Sequence, residues 1–438
     1  MSNKFQPNWE SLHSHRVPSW YENCKLGIFI HWGLYSVPAF APPSVELGTV
    51  SSEEWFANNP YAEWYYNSIN IGCGPTYEHH IQTYGKEFSY ENFAKLWHAK
   101  NWKPDEWASL FKEAGAKYVV LVTKHHDGFC LFPSKYTNFN SVARGPKRNI
   151  VGDLTEAVRK EGLKMGLYYS GILDWQFAHD PIFCDDDIRV NGSVTYEYAD
   201  YAYKQSMELI DTYHPSVFWN DIGWPYAGEE HLKHLLAHYY NTCEDGVVDD
   251  RFNNLHHDFI TKEYQLGSGS RESKWEMCRG LGLSFGYNAA EGDAHILSVE
   301  KLVSLLVSTV ANNGNLLINI GPKADGTIPA IQADKLRGLG NWMKINGEAI
   351  YDTHISDRLS MVSSGVDVHF TAKENALYVI ADNAPCGDFT FTVPNLSGSL
   401  QALDPSVNVD YQQSGRDLMI TVHNHSVEQC AVVLKAGL

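Results

Sequence analysis

The chain has 438 residues, 44% of them hydrophobic, and a formal net charge of −18. That length supplies a sizeable core and predicts one large domain with a smaller one beside it. The acidic balance and the lack of any Lys/Arg run argue against a nucleic-acid partner, whose affinity is carried by basic clusters.

In chain order, short apolar runs alternate with helical patterns. Leu26–Ile30 leads to His31, Tyr118–Thr123 to Lys124–His125–His126–Asp127–Gly128, and Met165–Tyr169 to Ser170. Ser216–Asn220 leads to Asp221, Val247–Asp250 to Arg251, and Leu316–Ile320 to Gly321. Each run has strand length and is bounded by turn residues. Between them, Pro104 opens a helix with Trp107, Leu110 and Phe111 on one face and Gly115 as its stop. A second helix covers Gly152–Lys160, and Leu302, Leu305, Leu306 and Thr309 mark a third. Alternating strands and helices predict a parallel α/β sheet, and residues 1–352 suit a (β/α)8-like TIM barrel. A doubly wound sheet is the second choice, but no GxGxxG follows the first run.

After about His354 the pattern changes to alternation. Val366–Val368–Phe370, Phe389–Phe391–Val393 and Leu418–Ile420–Val422 have polar residues between them. Ala376–Ile380 and Ala431–Leu434 are continuous, with turn residues such as Asn383–Pro385 and Ser414–Gly415 between strands. Residues 353–438 therefore read as a small antiparallel β-sandwich.

Eight cysteines are present without any zinc-like spacing, so free thiols are expected. The N-terminus lacks the apolar core of a signal peptide, and no stretch reads as a membrane span, so a cytoplasmic protein is expected. Residues 40–59 and 178–193 are loops that border the substrate or meet a second subunit in a homo-oligomer.

A barrel gathers its strand tips at one rim. There the sequence puts His31, His125, His126, Asp221 and Arg251, with Tyr168 and Tyr169 near the third tip. Asp221 ends an apolar strand between Trp219 and Trp224, and a carboxylate there is costly to desolvate without a partner or a task. A helix N-cap is its plain alternative. Imidazole and guanidinium groups bond hydroxyls, and the faces of Trp64, Tyr168 and Trp219 cover C–H surface, so a neutral sugar fits. His125 and His126 are adjacent, so both enter one pocket only if the strand has already turned. A His-His-Asp metal site is the other reading, although no HxH or HExxH is present and no metal or other cofactor is expected. Hydrolysis with retention needs a second carboxylate. Glu263, Glu276 and Glu291 are the candidates, with Glu276 inside an apolar segment and Glu263 in a loop.

Several motifs combine. They are GIFIHWGLYS at 27–36, AEWY at 62–65, KHHDGF at 124–129 and GLYYS at 166–170. WND at 219–221, Trp275–Glu276 through SFGYN at 284–288, and NGNLLINIGP at 313–322 complete the set. With these the chain resembles the α-L-fucosidases of glycoside hydrolase family 29, from about Trp20 to Tyr351. The resemblance implies that Asp221 is the nucleophile and that His31, Glu63, His125, His126 and Arg251 bind the sugar. It implies that Phe285 packs on the C5 methyl and, from the T-x-E-Y context, that Glu263 is the acid/base. Fucosylated oligosaccharides or glycoconjugates are then the substrates. A metal-dependent hydrolase and a non-catalytic sugar-binding protein are the competing readings.

Overall fold

The computed structural model describes residues 4–265 and 271–437. Eight parallel strands form one curled sheet: β1 (Leu26–Ile30), β2 (Tyr118–Lys124), β3 (Lys164–Ser170), β4 (Val217–Asp221), β5 (Val247–Val248), β6 (Ile260–Glu263), β7 (Trp275–Gly280) and β8 (Gly314–Ile320). Their order is β5-β4-β3-β2-β1-β8-β7-β6. Residues of β1, β2, β4 and β8 are buried on both faces, which is why these strands are continuous apolar runs in the sequence.

The sheet nearly closes. Among the described residues, the only backbone ladder between β5 and β6 is the isolated bridge Asp249↔Phe259. Asp258 reinforces this seam: its N–H donates to Val248 O at 2.9 Å, and its Oδ2 accepts from Val248 N at 2.8 Å. The fifth strand is therefore shorter than the Val247–Asp250 expected from sequence. Two strands that the apolar pattern did not reveal complete the set. β6 is half-buried and polar, and β7 carries Glu276 and Arg279 among its apolar residues.

The helices follow their end signals. Pro104–Glu113 starts on its proline and buries Trp107, Leu110 and Phe111. Asn149 caps Ile150–Lys160 by accepting from Gly152 N, so this helix begins two residues before the expected start. Ser298 caps Val299–Ala311 in the same way, through Lys301 N. The stretch Asp293–Ala311 has the length and hydropathy of a membrane span, contrary to the sequence expectation. Leu302, Val303, Leu305, Leu306 and Val310 of this stretch are buried in the core.

From His354 onward the strands are antiparallel. One sheet has the order β10-β11-β12-β17-β14, with β9 (His354–Ile355) pairing β11. Here β10 is Met361–Ser363, β11 Val366–Lys373, β12 Ala376–Asp382, β14 Leu400–Ala402 and β17 Val432–Gly437. The second sheet is β13-β16-β15, with β13 Gly387–Val393, β15 Asn408–Ser414 and β16 Asp417–His425. Val366, Val368 and Phe370 of the first face Phe391, Ile420 and Val422 of the second in one core. Trp342, on the last barrel helix (Ala330–Asn346), donates its indole N–H to Ala431 O at 3.0 Å and fastens the sandwich to the barrel.

Candidate active site

The strand tips converge on a pocket of about 200 Å³. Eleven of the residues singled out for the site line it: His31, Glu63, Trp64, His125, His126, Tyr168, Trp219, Asp221, Arg251, Glu263 and Phe285. Tyr169 does not, and its hydroxyl donates to Gln205 Oε1 at 2.9 Å. His31 follows β1, Asp221 ends β4 and Glu263 ends β6. Glu263 is thus on a strand tip and not, as expected, in a loop. Glu63 and Trp64 come from the short 3-10 helix Ala62–Trp64, and Phe285 from the loop after β7.

His125 and His126 both reach the pocket because β2 ends at Lys124 and the chain turns there. Gly128, at φ +77, makes that turn, and a Cβ on it would meet Asp174 Oδ1 at 2.5 Å. The turn is braced by Lys124, whose Nζ donates to Asp174 Oδ2 at 2.9 Å with both side chains fully buried.

Asp221 is bonded on both oxygens. Arg251 Nη1 donates to Oδ1 at 2.8 Å and Ile222 N at 2.9 Å, while the Tyr168 hydroxyl donates to Oδ2 at 2.7 Å. Burial alone would raise its pKa, but Arg251, His126 and the Tyr168 hydrogen bond outweigh it and hold the carboxyl below the usual range. Arg251 Nη2 donates to Glu263 Oε2 at 3.0 Å, so one guanidinium spans both carboxylates. Tyr61, which precedes the Glu63 motif, donates its hydroxyl to Glu263 Oε1 at 2.9 Å.

Two histidines are fixed in tautomer. Asn319 Nδ2 donates to Phe285 O at 2.6 Å, which turns its Oδ1 to accept from His31 Nδ1 at 2.7 Å. The Ser170 hydroxyl donates to Leu173 O at 2.6 Å, so its oxygen accepts from His126 Nδ1 at 2.6 Å. Both rings therefore keep Nε2 as a lone-pair acceptor. Burial pushes His31 down to about 4 and His126 down to about 3, so both are neutral near pH 7. Burial pushes Glu63 the other way, up to about 8. Its Oε2 accepts from Gly286 N at 2.7 Å and from the Ser284 hydroxyl at 3.3 Å, which leaves Oε1 to carry the proton. The pocket thus offers neutral acceptors, a neutral acid and aromatic walls, a surface suited to hydroxyl groups and C–H faces.

The two other glutamates are elsewhere. Glu291 Oε1 accepts from Leu283 N and Ser284 N, bracing the loop before Phe285. Glu276 is wholly buried beneath the pocket, where Tyr21, Tyr118 and Trp219 all donate to it. Sequence reasoning missed Tyr61, Ser170 and Asn319. Each lies in or beside a motif already quoted, and adjacency to the motif was the available signal. Among the described residues, no three His, Cys, Asp or Glu side chains are grouped to hold a metal ion. All eight cysteines are free.

A family model described as alpha-L-fucosidase matches residues 1–348. The human plasma alpha-L-fucosidase is 36% identical over 397 residues, covering 86% of this chain and 78% of that protein. The Dictyostelium discoideum alpha-L-fucosidase is 36% identical over 366 residues, covering 80% and 75%. Among solved structures, a Thermotoga maritima alpha-L-fucosynthase in complex with alpha-L-Fuc-(1-2)-beta-L-Fuc-N3 superposes with a TM-score of 0.93 at 49% identity over the full length of both chains. The Thermotoga maritima alpha-fucosidase in complex with fucose gives a TM-score of 0.89 at 48% identity, covering 99% of this chain and 100% of the other. This chain belongs to the α-L-fucosidase family of glycoside hydrolases.

Proposed function

We propose that the enzyme removes terminal α-L-fucosyl residues from oligosaccharides or glycoconjugates with retention of configuration. The observation that carries this reading is the sharing of Arg251 by Asp221 and Glu263. A shared guanidinium suits the close pair of a retaining enzyme, about 5–5.5 Å apart, better than the about 6.5–9.5 Å that leaves room for an inverting water.

Asp221 attacks the anomeric carbon as the carboxylate. Glu263, protonated, gives its proton to the leaving oxygen as the glycosidic bond breaks, and a fucosyl ester on Asp221 forms. Glu263, now ionised, takes a proton from water, which attacks the same carbon and releases fucose. Arg251 holds Asp221 in the free enzyme and keeps its bond to Glu263 while the ester lasts. Lone pairs on His31 and His126 accept from sugar hydroxyls, Glu63 donates to one, and Phe285 covers the C5 methyl.

The test is hydrolysis of an aryl α-L-fucoside followed by NMR of the first-formed fucose. Asp221→Gly should lower kcat by about 10³-fold or more in a folded protein. External azide should restore turnover to Glu263→Ala as a fucosyl azide. Inverted fucose as the first product, or an active Asp221→Gly, would sink the mechanism.

A further inference from the structure

Glu276 takes no part in the reaction described above, yet it lies directly beneath it. It is the second residue of β7 and does not line the pocket. Its Oε2 accepts from the hydroxyls of Tyr21 at 2.8 Å and Tyr118 at 2.5 Å. Its Oε1 accepts from Trp219 Nε1 at 3.0 Å. The first two bonds tie together the barrel floor. The third points upward, toward the site.

The Trp219 ring carries two of the groups that hold Asp221. The Arg251 guanidinium carbon is 4.7 Å from the ring centroid. The Tyr168 ring stacks on the indole at 5.5 Å with an interplanar angle of 21°. Arg251 has its donors on Thr261, Asp221 and Glu263, with a longer contact from Nη2 to Cys278 Sγ at 3.8 Å. An indole held only by ring contacts can tilt, and one N–H bond at its edge removes that freedom. A carboxylate at the N–H edge also polarises the ring and strengthens its attraction for a cation over its face.

We propose that Glu276 is a positioning residue: through the Trp219 N–H it fixes the ring on which Arg251 lies, and so sets the guanidinium that spans Asp221 and Glu263. This rests on the reading of Asp221 and Glu263 as the reacting carboxylates. It departs from the role considered for Glu276 in the sequence, that of the acid itself. The residue acts through two intermediaries, Trp219 and Arg251, and touches no substrate.

The experiment compares Glu276→Gln, Trp219→Phe and the double variant on an aryl α-L-fucoside, with thermal unfolding alongside. Glu276→Gln keeps the shape and removes the charge, whereas Trp219→Phe keeps a ring and removes the donor. Trp219→Phe should lower kcat/KM about tenfold, the loss of one hydrogen bond to a charged group, and Glu276→Gln, which leaves a neutral amide oxygen as acceptor, by a smaller factor. The acid limb of the pH profile should move to higher pH as Arg251 loosens from Asp221. The double variant should be no worse than the worse single, because both changes act on the same bond: the amide weakens its acceptor and the phenyl ring removes its donor.

A fall in Tm with kcat, KM and the acid limb unchanged would overturn the proposal, as would additive losses in the double variant. If Glu276→Gln does not fold, Trp219→Phe reads the bond from its other end. If neither folds, the bond is structural and the proposal falls. An inactive Asp221→Gly beside an unaffected Glu276→Gln would sink this inference alone, whereas an active Asp221→Gly would sink the mechanism beneath it.

Discussion

The backbone N–H of Ile222 donates at 2.9 Å to Oδ1 of Asp221, the side chain of the residue before it. It does so at φ +62, in the left-handed region that β-branched residues avoid. The turn after β4 is strained, and the strain brings a donor onto the carboxylate. Ile222→Gly keeps the N–H and relieves about 1 kcal/mol or more of backbone strain, against some lost apolar contact. Its Tm should stay within a few degrees of wild type and kcat within a few-fold. Ile222→Pro removes the N–H and requires negative φ, so Tm and kcat should fall together. Calorimetry and aryl-fucoside kinetics check both variants.

Arg251 is the main cation acting on Asp221. Without it, burial has less opposition and the carboxyl's pKa rises. Arg251→Ala should lower kcat/KM about 100-fold and move its acid limb upward, since a buried charge is left unpaired. Arg251→Lys keeps the charge but cannot span two carboxylates, so it should recover only part of the loss. A pH profile with an unmoved acid limb in Arg251→Ala would contradict this account.

Stability should respond to pH in opposite directions at two positions. His31 titrates near 6.5 when unfolded and near 4 when folded. Its contribution is complete above about 6.5 and is lost as the pH falls toward 4, a change of roughly 3 kcal/mol. Glu63 has its pKa raised from 4.5 to about 8, so its contribution is complete below 4.5 and is lost as the pH rises through 8. Tm should therefore fall less on acidification in His31→Asn, and less on alkalinisation in Glu63→Gln. In wild type KM should also rise above about pH 8, where Oε1 of Glu63 has no proton to donate. Denaturation curves from pH 4 to 9 distinguish the two slopes.

Lys124 and Asp174 form a fully buried pair behind the turn that carries His125 and His126. Lys124→Met strands the carboxylate and should destabilise by about 3–5 kcal/mol. Lys124→Met with Asp174→Leu removes both charges, and should recover part of that loss in urea unfolding. No recovery would show that the pair acts through shape alone.

Much of this was legible in the sequence, for physical reasons. The strands β1, β2, β3, β4 and β8 are interior, and burial on both faces writes a continuous apolar run. Asp221 and Arg251 stand out as polar residues just beyond such runs. β6 was not legible because Ile260, Thr261, Lys262 and Glu263 are only half-buried, so nothing in their hydropathy marks a strand. For the same reason hydropathy puts Glu263 in a loop, and only the T-x-E-Y context singles it out. The pairing of His125 with His126 in one pocket depended on where β2 stops. Gly128 and the Asp174 carboxylate decide that, and the latter is distant in sequence. Helix Tyr196–Tyr213, whose Gln205 accepts from Tyr169 of β3, is not marked in the sequence either, because its buried face includes tyrosines, Gln205 and Ser206, which blur the apolar stripe.

The seam between β5 and β6 gives the barrel a joint made mainly of side chains. Asp221 belongs to the ladder of β3 and β4, and Glu263 to the ladder of β6 and β7. Across the joint, side chains replace most of the backbone ladder, with Arg251 as the strut. The spacing of the two carboxylates is then set by one guanidinium and the ring beneath it, not by a ladder between their strands. In the two-step reaction proposed above, that one side chain would keep both reacting groups in register through both steps.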